Sequence, residues 1–202
     1  MSKIDNSAFF NIGYGLYLVT SRLEDKDNGM IVNSVMQVTN TPQKLIVAIN
    51  KDAYSHDIIK QTKIMNVHCL DKSAKFSIFE NFGMKSGKNT DKFDKVDFGR
   101  TENGLAFVKE SVNTLFCLEV ESYIDMETHG VFVCSVISAE VFNSNETMTY
   151  SYYQKNVKPQ PEKKKKGFVC TVCGYIHESD TLPDDFVCPL CLHSAEVFEP
   201  IK

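Results

Sequence analysis

Two Cys-x-x-Cys pairs near the C-terminus, CTVC at 170–173 and CPLC at 188–191, constrain this chain more than any other feature. They are separated by the 14 residues 174–187. Each pair can place a thiolate on either side of a metal ion, and two pairs complete a tetrahedron. Tetrahedral thiolate sites suit Zn²⁺ and iron almost equally, so the spacing alone leaves a structural zinc site and an iron centre open. The predicted ligands are Cys170, Cys173, Cys188 and Cys191.

The compartment is predicted from the N-terminus and the other cysteines. MSKIDNSAFFNIGYG lacks the basic-then-apolar layout of a secretory signal, and no run of about 20 apolar residues is long enough to span a bilayer. We therefore expect a cytoplasmic protein with no membrane partner. In that reducing compartment paired cysteines are more often metal ligands than disulfides. Cys69, Cys117 and Cys134 stand singly in apolar stretches and are predicted core residues.

The stretch QKNVKPQPEKKKKG predicts a domain boundary, because it holds six lysines and two prolines and only one apolar residue. We interpret 154–166 as a solvated linker between a domain at 1–153 and a small domain at 167–202. The small domain carries six acidic groups and one basic group, and the whole chain has a net charge of −4. Nucleic acid is therefore not an expected partner of either folded part.

Residues 1–153 are predicted to be mainly β. Asn28-Gly29 predicts a hairpin turn, and short helices are predicted over Ser55–Gln61, with Ser55 as N-cap, and over Ser73–Asn81. Six strands in this length suit a closed barrel. The strand segments are rich in β-branched and aromatic residues and are Leu16–Ser21, Met30–Thr39, Leu45–Asn50, Ile64–Cys69, Leu115–Val120 and Val131–Phe142.

The C-terminal segment resembles rubredoxin, a single-iron electron carrier with four cysteine ligands. The resemblance rests on FVCTVCGY, DDFVCPLC and EVFE, and its short spacer is most similar to the rubredoxin-like tail of rubrerythrins. It implies iron in place of zinc, and a small metal-knuckle domain in which His177 and His193 are surface residues. Leu192 stands where this family usually has glycine. An aromatic core is expected under the metal from Phe168, Tyr175, Phe186 and Phe198.

The N-terminal segment resembles the flavin reductase-like family, which folds as an FMN-binding split β-barrel with short helices and includes flavoredoxin. Three motifs in order carry the resemblance: MIVNSVMQVTNTPQKLIVAINKDAYSHDII, FGMKSGKNTDKF and THGVFVCSV. It implies FMN as cofactor, with Lys92 and His129 beside the reacting ring as catalytic residues. Its implied FMN contacts are Asn33, Ser34, Val35, Met36 and Gln37 along the ring, Asn50, Lys51, Ser55 and His56 near the ribityl chain and phosphate, and Lys92 and His129.

Each of these residues also has a simpler interpretation. Lys92 could be a solvated loop lysine, and His129 a surface residue of a turn. Asn33 and Ser34 could belong to the polar outer face of a strand. At Ser55, a hydroxyl at the start of a short helix would add a side-chain donor to a backbone anion site.

The two modules in this order resemble the high-molecular-weight rubredoxins. The resemblance implies an oxidoreductase that passes electrons from NAD(P)H through FMN to the four-cysteine iron and on to a flavodiiron protein or a similar acceptor. It also implies a homodimer. Two other functions stay open: an electron carrier without nicotinamide activity, and a ligand-binding barrel with a structural zinc tail.

Overall fold

The computed structural model describes residues 4–159 and 166–201. The chain divides into two compact units, Met1–Tyr153 and Gln154–Lys202. Residues 160–165, which belong to the predicted linker, lie outside the described residues. Within the two described ranges, no helix has the length and apolar character needed to cross a membrane.

The first unit is built on a seven-stranded sheet in which all neighbouring strands are antiparallel, in the order β2-β1-β5-β8-β9-β4-β3. Its strands are β1 Tyr17–Leu23, β2 Lys26–Val32, β3 Val35–Asn40, β4 Gln43–Asn50, β5 Ile64–Leu70, β8 Val112–Met126 and β9 His129–Val141, and β6 Gly99–Arg100 pairs separately with β7 Ala106–Phe107. The helices are α1 Tyr54–Thr62, α2 Phe76–Phe79, which continues into a π-helical turn at Glu80–Met84, and α3 Tyr150–Asn156.

The core lies between this sheet and α1, and the prediction of a mainly β fold with short helices is confirmed. Most of the central residues are β-branched or aromatic side chains of β1, β2, β4, β5, β8 and β9, in agreement with the strand patterns. Cys134 is fully buried and Cys117 is 7% exposed, whereas Cys69 is half-buried. Burial raises the pKa of Cys134 to about 12 and that of Cys69 to about 11, so these thiols stay protonated at neutral pH.

The predicted hairpin turn at Asn28-Gly29 is wrong. Both residues lie inside β2, where Asn28 pairs with Ser21 of β1, and the turn falls at Glu24 and Asp25. Gly29 is required for packing and not for a turn, because a Cβ there would lie 2.8 Å from the Phe82 ring. A contact with a residue 53 positions along the chain leaves no local signal that distinguishes such a glycine from a turn glycine.

Two further predictions need correction. The single strand predicted over Met30–Thr39 is interrupted at Asn33 and Ser34, which connect β2 to β3. The predicted helix at Ser55–Gln61 exists as α1, but its N-cap is Ala53, and Ser55 is buried in the first turn.

The second unit contains a three-stranded sheet in the order β11-β10-β12, with β10 Phe168–Cys170, β11 Ile176–His177 and β12 Phe198–Pro200. Phe186 lies 5.2 Å from Phe198 and 6.5 Å from Tyr175 between ring centroids, which confirms three members of the aromatic core. The His177 ring also joins them, 4.3 Å from Phe186. The prediction that His177 is a surface residue is therefore only partly right.

The described residues of the predicted linker, 154–159, include helical and buried positions. The first three residues of the linker continue α3, which ends at Asn156. Lys158 is only 9% exposed, so the interpretation of 154–166 as a solvated spacer is wrong at this residue.

Candidate metal centre and flavin site

The two cysteine pairs fold into turns with the same backbone hydrogen bonds. In the first, the amide of Gly174 donates to the carbonyl of Cys170 over 2.8 Å, and in the second, Leu192 donates to Cys188 over 2.9 Å. In each turn the first cysteine's own amide donates to the carbonyl five residues on, over 2.8 Å in both. The chain therefore presents its cysteines from two equivalent turns.

Leu192 adopts the backbone conformation that glycine adopts in the first turn. Its φ is 60°, and that of Gly174, at the equivalent position, is 83°. A left-handed conformation costs a residue with a Cβ about 1–2 kcal/mol. The departure from glycine at 192 therefore carries an energetic cost but leaves the geometry of the turn intact.

The four sulfur atoms lie within 4.8 Å of one another. The distance is 3.6 Å between the sulfurs of Cys170 and Cys191 and 3.5 Å between those of Cys173 and Cys188. Metal–sulfur bonds of about 2.3 Å in a tetrahedron separate the sulfurs by about 3.8 Å, so the arrangement fits one four-coordinate ion. Among the described residues, this cluster contains no histidine or carboxylate.

The protonation of these thiols also fits a metal site. Hydrogen bonds from neighbouring thiols, first that of Cys191, lower the pKa of Cys173 to about 5. The hydrogen bond to Cys173 raises the pKa of Cys191, and burial raises that of Cys170. The sulfurs are close enough together that one bound metal ion would replace the protons of these thiols.

Backbone amides point at the sulfurs. The Cys170 sulfur accepts hydrogen bonds from the amides of Cys173 and Val172, and the Cys173 sulfur accepts one from Tyr175. The Cys191 sulfur accepts one from the amide of His193. Such bonds stabilise thiolates and are one of the factors that set the potential of iron–thiolate centres.

Several of the predicted flavin contacts meet where β4 ends and β9 begins. Asn50 and His129 are cross-strand partners, and both are exposed. The amide of Lys51 donates to the carbonyl of Thr128 over 3.0 Å. The Lys51 ammonium lies 2.5 Å from the Asp125 carboxylate, and this hydrogen bond raises the pKa of Lys51. An amide, an imidazole and an ammonium thus share one exposed corner, and all three can donate to an anionic ligand.

His56 lies directly beneath this corner and is 3% exposed. Its Nε2 is 3.1 Å from the Tyr123 hydroxyl, and its Nδ1 is 2.8 Å from the Asp57 carboxylate. A Cβ at Gly130 would lie 2.7 Å from His56 Nε2 and 2.3 Å from the Tyr123 ring. Gly130 therefore allows β9 to pass over the histidine, which lies below the surface.

Ser55 connects the corner to β2. Its hydroxyl accepts a hydrogen bond of 2.7 Å from the Asn28 side chain, and both residues are buried. The Asn28 Oδ1 atom has no hydrogen-bond partner within the described part of the chain. The Ser55 hydroxyl accepts this bond and can still donate its own proton, so its contact with a flavin phosphate stays a prediction.

Lys92 is a buried lysine, and its interpretation as a solvated loop residue is wrong. It is 4% exposed, and its Nζ donates to the carbonyls of Gly29, over 2.8 Å, and Phe82, over 3.1 Å. Burial, with a smaller contribution from the charge of Lys85, lowers the pKa of Lys92 to about 8. A pocket of about 550 Å³ borders Lys92 but takes in none of Asn33–Gln37.

The remaining predicted contacts lie at the edge of the sheet. Ser34 donates from its hydroxyl to the carbonyl of Ala48 over 2.8 Å, and Asn33 and Val35 are half-buried beside it. Met36 is 58% exposed, and the Gln37 amide donates to Thr39 and Asn40 further along β3. All these FMN assignments stay predictions.

The sequence interpretation missed three residues that organise this region. Gly130 directly follows His129 in THG, so that motif held a local signal for it. Tyr123 and Asn28 had none, because each reaches the site only through the pairing of distant strands.

Comparison with known proteins identifies both units. The flavin reductase like domain matches residues 9–160, and the rubrerythrin, rubredoxin-like domain matches residues 168–199. A high molecular weight rubredoxin of Moorella thermoacetica is 28% identical over 98% of this chain and 100% of its own length. A ferric-chelate reductase (NAD(P)H) of Archaeoglobus fulgidus is 31% identical over 74% of this chain and 89% of its own.

Solved structures share the fold of the first unit. The NADH:FAD oxidoreductase SgcE6 of Streptomyces globisporus has a TM-score of 0.65 at 20% identity, and covers 74% of this chain and 92% of its own. Flavoredoxin of Methanosarcina acetivorans has a TM-score of 0.60 at 20% identity, with 70% and 75% covered. The chain belongs to the flavin reductase-like family and carries a C-terminal rubredoxin-like domain, in the arrangement of the high molecular weight rubredoxins.

Proposed function

We propose that this protein transfers electrons from NAD(P)H through FMN in the first unit to an iron in the four-cysteine site, and from there to a partner protein. The observation that carries the proposal is the cluster of four sulfur atoms within 4.8 Å, in a chain whose first unit is a flavin reductase-like domain. Bound FMN can accept a hydride and release its electrons singly, and four-thiolate iron carries one electron.

Relatives support the choice of donor, cofactor and acceptor. The ferric-chelate reductase of Archaeoglobus fulgidus is named as an NAD(P)H enzyme. The RutF relatives, at 20–25% identity, are named as FMN reductases (NADH). A putative diflavin flavoprotein of Synechocystis matches 74% of this chain over 26% of its own length, so a similar domain occurs inside a larger flavoprotein. This favours a flavoprotein acceptor, and we propose a flavodiiron protein.

Exposed apolar side chains support a homodimer. They belong to three strands of the same sheet, whose other face packs in the core. Scattered exposed apolar residues are ordinary on protein surfaces, but six of them on three strands of one sheet favour an interface. The group comprises Met36, Val38, Ile124, Met126, Ile137 and Val141, each at least 42% exposed.

A cytoplasmic location, where thiolates stay reduced, is part of the same proposal.

The proposal is tested with the purified full-length protein after expression with ample iron. We expect about one FMN and one iron per chain, and anaerobic NADH or NADPH should bleach both the flavin and the ferric bands. Visible spectroscopy and metal analysis measure this. Stoichiometric zinc without iron would overturn the proposal in favour of a structural tail. If neither NADH nor NADPH reduces the flavin, the protein is an electron carrier without nicotinamide activity.

Lys92 and His129 are the proposed catalytic residues, because each would place a donor near the ring where negative charge grows on reduction. We expect Lys92→Ala and His129→Ala each to lower the flavin potential and slow its reduction by NAD(P)H. The loss of one partly desolvated charge-assisted hydrogen bond is typically about 1–3 kcal/mol, or about five- to 150-fold in rate.

Lys88→Ala is the control, since it removes a positive charge from an exposed residue of the same loop. Circular dichroism shows whether each barrel stays folded, which matters for Lys92 because its ammonium bonds two carbonyls. If potential and rate in both variants match those of Lys88→Ala, neither residue is catalytic.

A further inference from the structure

Lys158 lies in the stretch predicted as linker, yet its side chain is held on the metal-binding unit. Its Nζ donates to the carbonyl of Thr171 over 2.5 Å. Thr171 is the residue after Cys170, inside the first cysteine turn. The ammonium of Lys158 is therefore fixed on the backbone of a turn that supplies two of the four thiolates.

Lys158 and Pro159 also pack against the first cysteine turn, at Gly174. A Cβ built on Gly174 would lie 3.4 Å from the carbonyl oxygen of Pro159 and 3.5 Å from Cε of Lys158. Residues 158 and 159 thus lie across the turn at about van der Waals distance. This contact explains why the lysine is only 9% exposed although it belongs to a lysine-rich stretch.

The electrostatic surroundings of Lys158 follow from this position. Burial lowers the pKa of its ammonium, and the nearby thiolates of Cys170, Cys173 and Cys191 oppose that shift. The segment 167–202, which carries the four cysteines, is acidic, with six acidic groups and one basic group. Lys158 is therefore a buried positive charge next to the cysteines of a negatively charged domain.

We propose that Lys158 raises the reduction potential of the four-cysteine iron centre by holding a positive charge beside its thiolates. The inference rests on the proposed function. Four thiolates give ferric iron a net charge of minus one and ferrous iron minus two, and a nearby cation stabilises the more negative state more strongly. Lys158 thus offsets the acidic field of the domain and makes the centre a better electron acceptor. It is a positioning residue, because it touches the turn and not the metal.

The test uses the full-length, iron-loaded protein and a redox titration that follows the ferric visible band. Lys158→Met removes the charge from a side chain of similar length. We expect about a tenfold shift of the ferric–ferrous equilibrium towards the ferric state, which is ~59 mV for a one-electron couple. Lys158→Arg keeps the charge and should stay within about threefold of the parent, or ~30 mV.

Lys166→Met is the matched control. Lys166 belongs to the same unit and its loss changes the net charge equally, but it is exposed, so solvent screens its charge. Its potential should stay close to that of the parent. Because a purely structural lysine would change metal retention or melting temperature without moving the potential, the potential distinguishes the two roles.

The outcomes separate this inference from the proposed function. An unchanged potential in Lys158→Met overturns the role of Lys158 and leaves the proposed function standing. An equal drop of the potential in Lys158→Met and Lys166→Met does the same. If Lys158→Met does not retain iron, Lys158→Gln replaces it, because glutamine keeps an N–H donor for Thr171 without the charge. An unchanged potential in Lys158→Gln, or a drop equal to that of Lys166→Met, then overturns the role of Lys158. A parent protein that holds zinc and has no iron couple overturns the proposed function together with this inference.

Discussion

Replacing Cys173 by Ser is expected to abolish the ferric visible band and to unfold the C-terminal unit while the first unit keeps its FMN. Cys173 is 6% exposed and its sulfur lies 3.5 Å from that of Cys188. A domain this small buries too little apolar surface to fold without its metal, and binding of a structural metal supplies on the order of 10 kcal/mol. Cys188→Ser should have the same effect, since Cys188 is fully buried in the same cluster.

Cys69→Ser is the control for this prediction. Cys69 is a half-buried thiol of β5 in the first unit, and its replacement should leave the iron band unchanged. Iron content, the visible spectrum and limited proteolysis of the C-terminal unit measure the result. Retention of the iron band in Cys173→Ser would contradict the ligand assignment. Loss of FMN in the same variant would show that the two sites depend on each other.

The metal site could be predicted from the sequence because its geometry is local. Cys-x-x-Cys turns place their own thiolates, and the structure brings together all four cysteines that the spacing selected. Even the departure at Leu192 is accommodated within one turn, by a φ of 60°. The strands of the core were predictable for a similar reason, since runs of β-branched and aromatic residues can be recognised along the chain without knowing how the strands pair.

The predictions that failed concern residues whose environment is set by distant parts of the chain. Gly29 makes room for Phe82, and the carbonyls of those two residues hold the Lys92 ammonium in the interior. Lys158 was part of a lysine-rich linker by composition, but the carbonyl of Thr171 accepts a hydrogen bond from its ammonium. Composition reports what a segment prefers on average, and it cannot report a single long-range hydrogen bond that overrides that preference.

The order of the carriers is testable by removing the second unit, and the structure shows where to cut. α3 runs across the predicted domain boundary, and the Tyr153 ring packs 4.3 Å from Phe79. A chain that ends after Asn156 keeps this helix complete, and the separate fragment 157–202 keeps Lys158 with the cysteine turns.

We expect the shortened chain to retain FMN and to oxidise NAD(P)H with free flavin or ferricyanide at the parent rate, but to reduce a flavodiiron acceptor at most about one-hundredth as fast. The reason is that iron in the second unit is the proposed outlet for single electrons to the acceptor, and the shortened chain lacks it. Adding the iron-loaded fragment 157–202 at about 1 μM should restore little activity, because a tether commonly supplies an effective concentration in the millimolar range.

Stopped-flow spectra of the full-length protein should show the flavin bleaching no later than the ferric band. Should the shortened chain serve the acceptor as well as the full chain does, or the ferric band bleach first, the proposed order of electron transfer is wrong.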